Sequence, residues 1–225
     1  MLKPNKVKFV LGITGNIACG KSTVANMFKT KDCLLLDADV LTHKLLASDK
    51  LVCSKIVKNF SPSILKRDNI IDRKKLGKIV FTDPSALVKL NSIVHPLLIK
   101  EIKGRIKDSD KRIIILDAAL IVEAGLTKMI DKLIVVKVKN KAQQVLRASR
   151  SGGFSKQDMV LRIKSQISQN KKLSFADFII DNSGQVSETR KQVFAIRRTL
   201  ACYAGKDFTG QNQGGSCGKV RYKNS

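Results

Sequence analysis

The sequence predicts an α/β fold: a parallel β-sheet core flanked by helices. Three observations carry that prediction. Short apolar runs of strand length recur along the chain, and helical patterns lie between them. The composition, 43 % hydrophobic and 27 % charged over 225 residues, is that of a chain that buries a core rather than a disordered one. The length suits one domain with inserted subdomains.

Taken in order, Lys8–Thr14 alternates little and is rich in Phe, Val, Leu and Ile, as expected for a parallel strand buried on both faces. Leu34–Leu36, Ile113–Leu116, Leu133–Val138 and Phe178–Ile180 read the same way. Between the second and third strands, Val40 to Arg112 is almost all helical in pattern. Leu87, Leu90 and Val94 form one stripe; Leu98, Ile102 and Ile106 form another. Asp83-Pro84 opens this pair with a capping side chain and a proline suited to the first helical position. His95-Pro96 predicts a break between the stripes, since a residue before proline avoids helical backbone. Ser155 to Lys172 predicts one amphipathic helix with Val160, Ile163 and Ile167 inward, preceded by a flexible Ser151-Gly152-Gly153 joint. After Ala201 the pattern dissolves into a glycine-rich tail.

Several function classes are excluded early. The longest apolar stretch, Ile113 to Val122, is interrupted by Asp117 and falls far short of the roughly 20 residues of a membrane span. Phe9 to Leu11 is too short for a signal-peptide core. The cysteines Cys19, Cys33, Cys53, Cys202 and Cys217 form no Cys-x-x-Cys pair, so neither a zinc site nor a disulfide framework is indicated, and a reducing cytoplasmic setting is expected. The formal net charge of +25 admits nucleic acid or phosphorylated small molecules as partners. With no Trp and eleven other aromatics, the chain lacks the rings of a base-stacking single-strand binder.

The chemistry begins at Gly15-Asn16-Ile17-Ala18-Cys19-Gly20-Lys21-Ser22, which fits G-x-x-x-x-G-K-[ST] without a gap, between an apolar strand and a helical pattern. In such a loop the backbone N–H groups converge on phosphate oxygens, the following helix adds its positive end, the lysine reaches the β- and γ-phosphates, and the hydroxyl is a Mg²⁺ ligand. Lys21 and Ser22 take those parts here. Cys19, inside the loop, is either a redox-sensitive thiol or a small filler. The motif leaves a GTPase, a nucleic-acid ATPase and a small-molecule kinase as candidates. Asn140-Lys141-Ala142-Gln143 lacks the carboxylate that would pair with guanine, which disfavours the GTPase.

The second strand ends in Asp37-Ala38-Asp39, at the edge of the sheet where ligands bind. A carboxylate there, Asp37 or Asp39, could orient an acceptor hydroxyl and take its proton, or help hold Mg²⁺. Asp37 either helps hold Mg²⁺ or caps the helix from Val40; Asp117, at the end of the third strand, is either a further Mg²⁺ carboxylate or structural.

With these residues in view, the chain from about Phe9 to Leu200 resembles the dephospho-CoA kinase family. The resemblance rests on Gly12-Ile13-Thr14-Gly15-Asn16-Ile17 running into Gly20-Lys21-Ser22-Thr23-Val24, on Asp37-Ala38-Asp39, on Ile71-Asp72-Arg73 with Leu76-Gly77, Phe81 and Asp83-Pro84, on Leu90-Asn91-Ser92-Ile93-Val94-His95-Pro96, and on Gln144, Arg147, Arg150, Arg162, Gln166, Asp177 and Asn182. It implies a P-loop kinase fold with a helical substrate-binding insertion and a lid. It also implies the reaction: ATP phosphorylates the ribose 3′-hydroxyl of dephospho-CoA to give CoA and ADP, the last step of coenzyme A biosynthesis. Two other readings remain open: a kinase of a different nucleoside or nucleotide, and a nucleic-acid-binding ATPase.

The resemblance divides the chain into a single domain over 1–201 and a disordered tail over 202–225. The domain comprises a core (7–39, 112–150 and 173–201), the insertion (40–111) and the lid (151–172). It makes Asp39, Lys21, Arg147 and Arg150 catalytic. It assigns Gly15 to Thr23, Arg162 and Asn182 to ATP, and Thr14, Asp39, Arg73, His95 and Glu123 to the acceptor. Ser22 would hold Mg²⁺, with Asp37 or Asp117. Arg73 either meets a substrate phosphate or pairs with Asp72, and His95 either touches substrate or hydrogen-bonds at a helix junction. Arg162 and Gln166, four residues apart, should share a helix face. Departures are Ala119 where the family usually has Pro, Ala18 where Gly is common, and an Arg147–Arg150 spacing one residue short.

Charge is concentrated around the expected crevice. Lys128–Lys172 holds 12 basic and 2 acidic residues, and Lys50–Arg112 holds 16 and 6. Both would steer anionic substrates such as ATP and dephospho-CoA. No specific nucleic acid and no membrane are expected as partners, and the sequence leaves the oligomeric state open.

Overall fold

The computed structural model describes residues 8–139, 141–150 and 155–204. The predicted glycine joint at 151–153 and most of the predicted tail lie outside them. All five expected apolar runs are strands: β1 (Phe9–Thr14), β2 (Cys33–Asp37), β3 (Ile113–Asp117), β4 (Lys132–Lys137) and β5 (Phe178–Asp181). They form one sheet in the order β2-β3-β1-β4-β5, and every neighbouring pair is parallel. The register sets Asp117 beside Ile13 on one side and Asp37 on the other. Three strands therefore end together, with Thr14, Asp37 and Asp117 along one edge of the sheet.

The period of two along β1 divides its side chains between two cores. Leu11 and Ile13 join Val24 and Phe28 of α1 (Lys21–Phe28) and Ile196 and Leu200 of α9 (Val186–Ala204). Val10 faces the other way, with Leu36, Leu116, Leu98 and Ile102. The last helix runs to Ala204, so residues 202–204 continue it instead of beginning a tail.

Four helices fill the long segment between β2 and β3: α2 (Ala38–Ser48), α3 (Lys50–Phe60), α4 (Arg73–Thr82) and α5 (Pro84–Asp108). Asp49, Asp72 and Asp83 cap the last three, each accepting backbone N–H bonds in the first turn. A third core, with Val52, Ile56, Ile64, Leu76, Val80 and Val94, holds them together. The break expected at His95-Pro96 does not occur: α5 passes straight through Pro96. Its first half is anchored in the helical core by Val94, its second half against the sheet by Leu98 and Ile102. Burying several such side chains, at about 1.5–3 kcal/mol each, outweighs the roughly 3 kcal/mol cost of an interior proline.

The helix expected over Ser155–Lys172 is two helices, α7 (Lys156–Lys164) and α8 (Gln169–Leu173), following α6 (Lys141–Arg150). Ser155 and Asp158 form a reciprocal capping box at the start of α7, and Ser168 caps α8 by accepting the Lys171 N–H. A second capping serine is what divides the segment. The inward pair is Met159 and Ile163; Val160 points out at 38 % exposure, and Ile167 lies between the helices.

Candidate active site

The loop between β1 and α1 is the floor of the site. A Cβ on Gly15 would lie 2.3 Å from the Val136 carbonyl oxygen, so only glycine lets β1 and β4 run side by side into the turn. Gly20 adopts φ 88°, and a Cβ there would meet the Asn182 amide at 2.2 Å. Ala18 holds a left-handed φ of 58° without being glycine, which costs about 1–2 kcal/mol. The Cys19 side chain is fully buried, and burial pushes its thiol up against the opposing pull of Lys21. Cys19 is thus the filler of the two alternatives, not an exposed thiolate.

The loop is fastened from two directions. Asn182 Nδ2 donates to the Cys19 carbonyl at 2.8 Å, while its Oδ1 accepts from the Thr189 hydroxyl at 2.8 Å. Gln166 Oε1 accepts the Ile17 N–H at 2.8 Å, and Asn16 Nδ2 donates to the Ile167 carbonyl at 3.4 Å. Gln166 therefore reaches the loop from the segment between α7 and α8, not from a helix face shared with Arg162.

Lys21 and Ser22 open α1, beside the carboxylates of the strand edge. Asp117 is 5 % exposed, and burial raises its carboxyl above the ordinary range; a hydrogen bond with the Ser22 hydroxyl and the charge of Lys21 oppose that. Asp37 and Asp39 also act on it, in the raising direction. Asp37 Oδ1 accepts the Val40 N–H at 3.0 Å, so this side chain caps α2. Asp39, two residues on, is exposed in the first turn of α2.

The opposite wall comes from the helical segment. His43 lies on α2 one turn beyond Asp39. Burial lowers its pKa first and Arg73 next, while Asp39 and Asp37 raise it. Arg73 is exposed at the start of α4, and Asp72 Oδ1 is occupied by the Lys74 and Lys75 N–H groups at 2.9 and 3.2 Å. The Arg162 guanidinium stacks 4.2 Å from the centroid of the Phe81 ring, with Gly77 leaving it room. His95, on α5, is pushed down by burial and up by Glu123.

The dephospho-CoA kinase family model matches residues 9–188. The chain belongs to the dephospho-CoA kinase family. The dephospho-CoA kinase of Aquifex aeolicus is 44 % identical over 191 residues, covering 84 % of this chain and 96 % of that one. A solved dephospho-CoA kinase from Campylobacter jejuni aligns at TM-score 0.63 with 28 % identity, over 88 % of this chain and 99 % of its own. A Thermus thermophilus crystal structure aligns at TM-score 0.71 with 26 % identity, over 87 % and 98 %. The fold is that of a P-loop kinase, and membership of this kinase family implies use of ATP. Among the described residues no helix is long and apolar enough to cross a membrane.

Against the family pattern, the structure brings Lys21, Ser22, Asp37, Asp39 and Asp117 together at one sheet edge. Arg73, Arg162 and His95 lie on the helical wall. Thr14 is fully buried, its hydroxyl donating to the Ala119 carbonyl at 3.1 Å. Thr23 is exposed one residue beyond Ser22. Asn182 contacts the loop backbone. Arg147 is half-buried on α6, and the Arg150 side chain lies outside the described residues. Two members of the site escape a motif-based reading. Lys172, buried against Ala119 and Glu123, looks in sequence like half of a surface Lys171-Lys172 pair. His43 carries a usable signal, its i, i+4 spacing from Asp39 on a helix.

Proposed function

We propose that this chain transfers the γ-phosphoryl group of ATP to the ribose 3′-hydroxyl of dephospho-CoA, giving CoA and ADP. The observation that carries the reading is the meeting of Lys21 and Ser22 with Asp39 and Asp117 across one crevice. The loop N–H groups and Lys21 hold the β- and γ-phosphates over the start of α1. Asp39, exposed at the crevice and not a helix cap, accepts the proton of the 3′-hydroxyl as its oxygen bonds to the γ-phosphorus. The bond from that phosphorus to the β,γ-bridging oxygen breaks, and ADP leaves with the electron pair.

The donor set fits Mg²⁺. That ion keeps most of its waters and needs one or two protein oxygens beside the phosphates. The Ser22 hydroxyl, already hydrogen-bonded to Asp117, is a suitable ligand, with the Asp117 carboxylate orienting it. Bound there, the ion would neutralise charge on the phosphates. Asp37 serves as a helix cap in this arrangement. The acceptor lies along Arg73, His43, His95 and Glu123, and Arg162, which α7 sets against Phe81 of α4 beside Arg73, meets the phosphates from the acceptor's side, with Arg147 on α6 as a further cation. Guanidinium groups suit the charge spread over the transferred phosphoryl oxygens. Free thiols at Cys19, Cys33 and Cys53 suit a reducing cytoplasm.

Purified protein with Mg-ATP should convert dephospho-CoA to CoA, followed by chromatography of the products. Turnover no greater than that of Lys21→Ala would overturn the proposal.

A further inference from the structure

Lys172 is fully buried, and among the described residues its ammonium has two partners, both on the turn after β3. Nζ donates to the Ala119 carbonyl at 2.5 Å and meets Glu123 Oε1 at 3.1 Å. The Ala119 carbonyl also accepts the Thr14 hydroxyl, so one oxygen ties the end of β1 to α8. Glu123 Oε1 in addition accepts the Ile167 N–H at 3.4 Å. Its other oxygen, Oε2, is buried and has no hydrogen-bond partner among the described residues. A buried ion pair is costly to desolvate, and an unpaired carboxylate oxygen adds to that cost. An apolar side chain of the same volume would fill the space under Ala119 more cheaply. A pair this costly is weak evidence of a purely stabilising part, and Glu123 lies within electrostatic reach of His95 on the proposed acceptor wall.

We propose that Lys172 is a positioning residue for the acceptor: by binding Ala119 and Glu123 it fixes the turn 118–125 so that Glu123 Oε2 is held ready for a hydroxyl or N–H of the bound acceptor. The inference rests on the reading of the reaction given above. Gln166 and Ile167 fasten the same segment to the phosphate loop, but through other atoms. Lys172 is within electrostatic reach of Lys21 and Cys19, but its hydrogen bonds go to the turn, so its loss should be felt more on the acceptor side than on the ATP side.

The test compares Lys172→Met and Lys172→Arg with the wild type. Steady-state kinetics are measured in both substrates, and amide hydrogen exchange is measured without ligands. Lys172→Met should lower kcat and raise the acceptor KM, each by about tenfold, as expected for a reacting group displaced by a fraction of an ångström. The ATP KM should stay within about twofold, Lys172→Arg should recover most of the loss, and amides of 118–125 should exchange faster than in the wild type while those of 15–22 do not. Should Lys172→Met fail to fold, Lys172→Gln takes its place and must give the same KM split. A fall in melting temperature with all kinetic constants unchanged, a rise in the ATP KM alone, or unchanged protection of 118–125 would each overturn the proposal. Failure of the wild type to phosphorylate dephospho-CoA would instead sink the reaction assigned above, and the exchange comparison would then decide the role of Lys172 by itself.

Discussion

The two walls of the crevice are built by different means. The wall proposed for ATP is one contiguous stretch, Gly15 to Ser22, whose working groups in that proposal are mostly backbone N–H groups. Neighbouring segments hold it through Asn182, Gln166 and the close contact of Gly15 with Val136. The wall proposed for the acceptor is a collection of side chains from α2, α4, α5 and the turn after β3. The three helices each have a capping aspartate and a share of a core. The first wall depends on backbone conformation, the second on the relative placement of packed helices. Substitutions should therefore fail differently on the two sides: by strain or lost charge on the first, by misplacement or lost chemistry on the second.

The largest effect belongs to Asp39, which stands where the walls meet. Asp39→Asn keeps size and helix position but removes the proton acceptor, so kcat should fall by about 10²- to 10⁴-fold. ATP affinity, measured by equilibrium titration, should change less than about twofold. If turnover survives, the acceptor wall binds but does no chemistry, and the comparison fails at its most informative point.

That difference also explains why the two walls are not equally legible in the sequence. The ATP wall is legible because converging N–H groups need consecutive residues with glycine at fixed places. The five strands are legible because a parallel sheet buried on both faces demands unbroken apolar runs. The acceptor wall is legible only through family resemblance. Arg73, His95 and Glu123 have no spacing that marks them as a group: the fold sets Arg73 beside His43 and, separately, His95 beside Glu123. Local rules mislead where tertiary burial overrides them. Pro96 signals a break, yet the burial of Val94 and Leu98 on either side carries α5 through it. Val160 fits an apolar stripe, yet Ser168 starts a new helix and the stripe belongs to Met159 and Ile163. Lys172 carries no signal at all, because nothing in a pair of lysines says which one is buried.

A smaller effect, of two signs, is expected at Asp117 on the ATP wall. Asp117→Asn should weaken the hold on the Ser22 hydroxyl and raise the Mg²⁺ concentration for half-maximal rate by about 10- to 100-fold. The same change should stabilise the protein. Burial holds this carboxyl above its ordinary range, so the folded state keeps its proton to higher pH than the unfolded chain does. Wild-type stability therefore falls as pH rises from the ordinary carboxylate range through the raised value. The asparagine variant escapes that loss: its melting temperature should exceed the wild type's at neutral pH, with the advantage gone in acid, where both states hold a neutral carboxyl. Equal melting temperatures at both pH values would mean that the ATP wall stores no charge strain at this carboxylate.

The smallest effect sharpens the claim that the ATP wall depends on backbone conformation. Ala18 occupies left-handed backbone at φ 58°. Glycine would relieve about 1–2 kcal/mol of that strain but would lose about 0.5–1 kcal/mol through the greater freedom of the unfolded chain. Ala18→Gly should therefore be more stable by up to about 1.5 kcal/mol, a rise in melting temperature of roughly 2–4 °C per kcal/mol for a chain of this size. Ala18→Val should be less stable than the wild type, because a β-branched residue tolerates positive φ worst. The order Gly, Ala, Val in melting temperature ties the effect to backbone conformation. Any other order would mean that packing at position 18 decides, and that this wall is governed by the same side-chain contacts as the other.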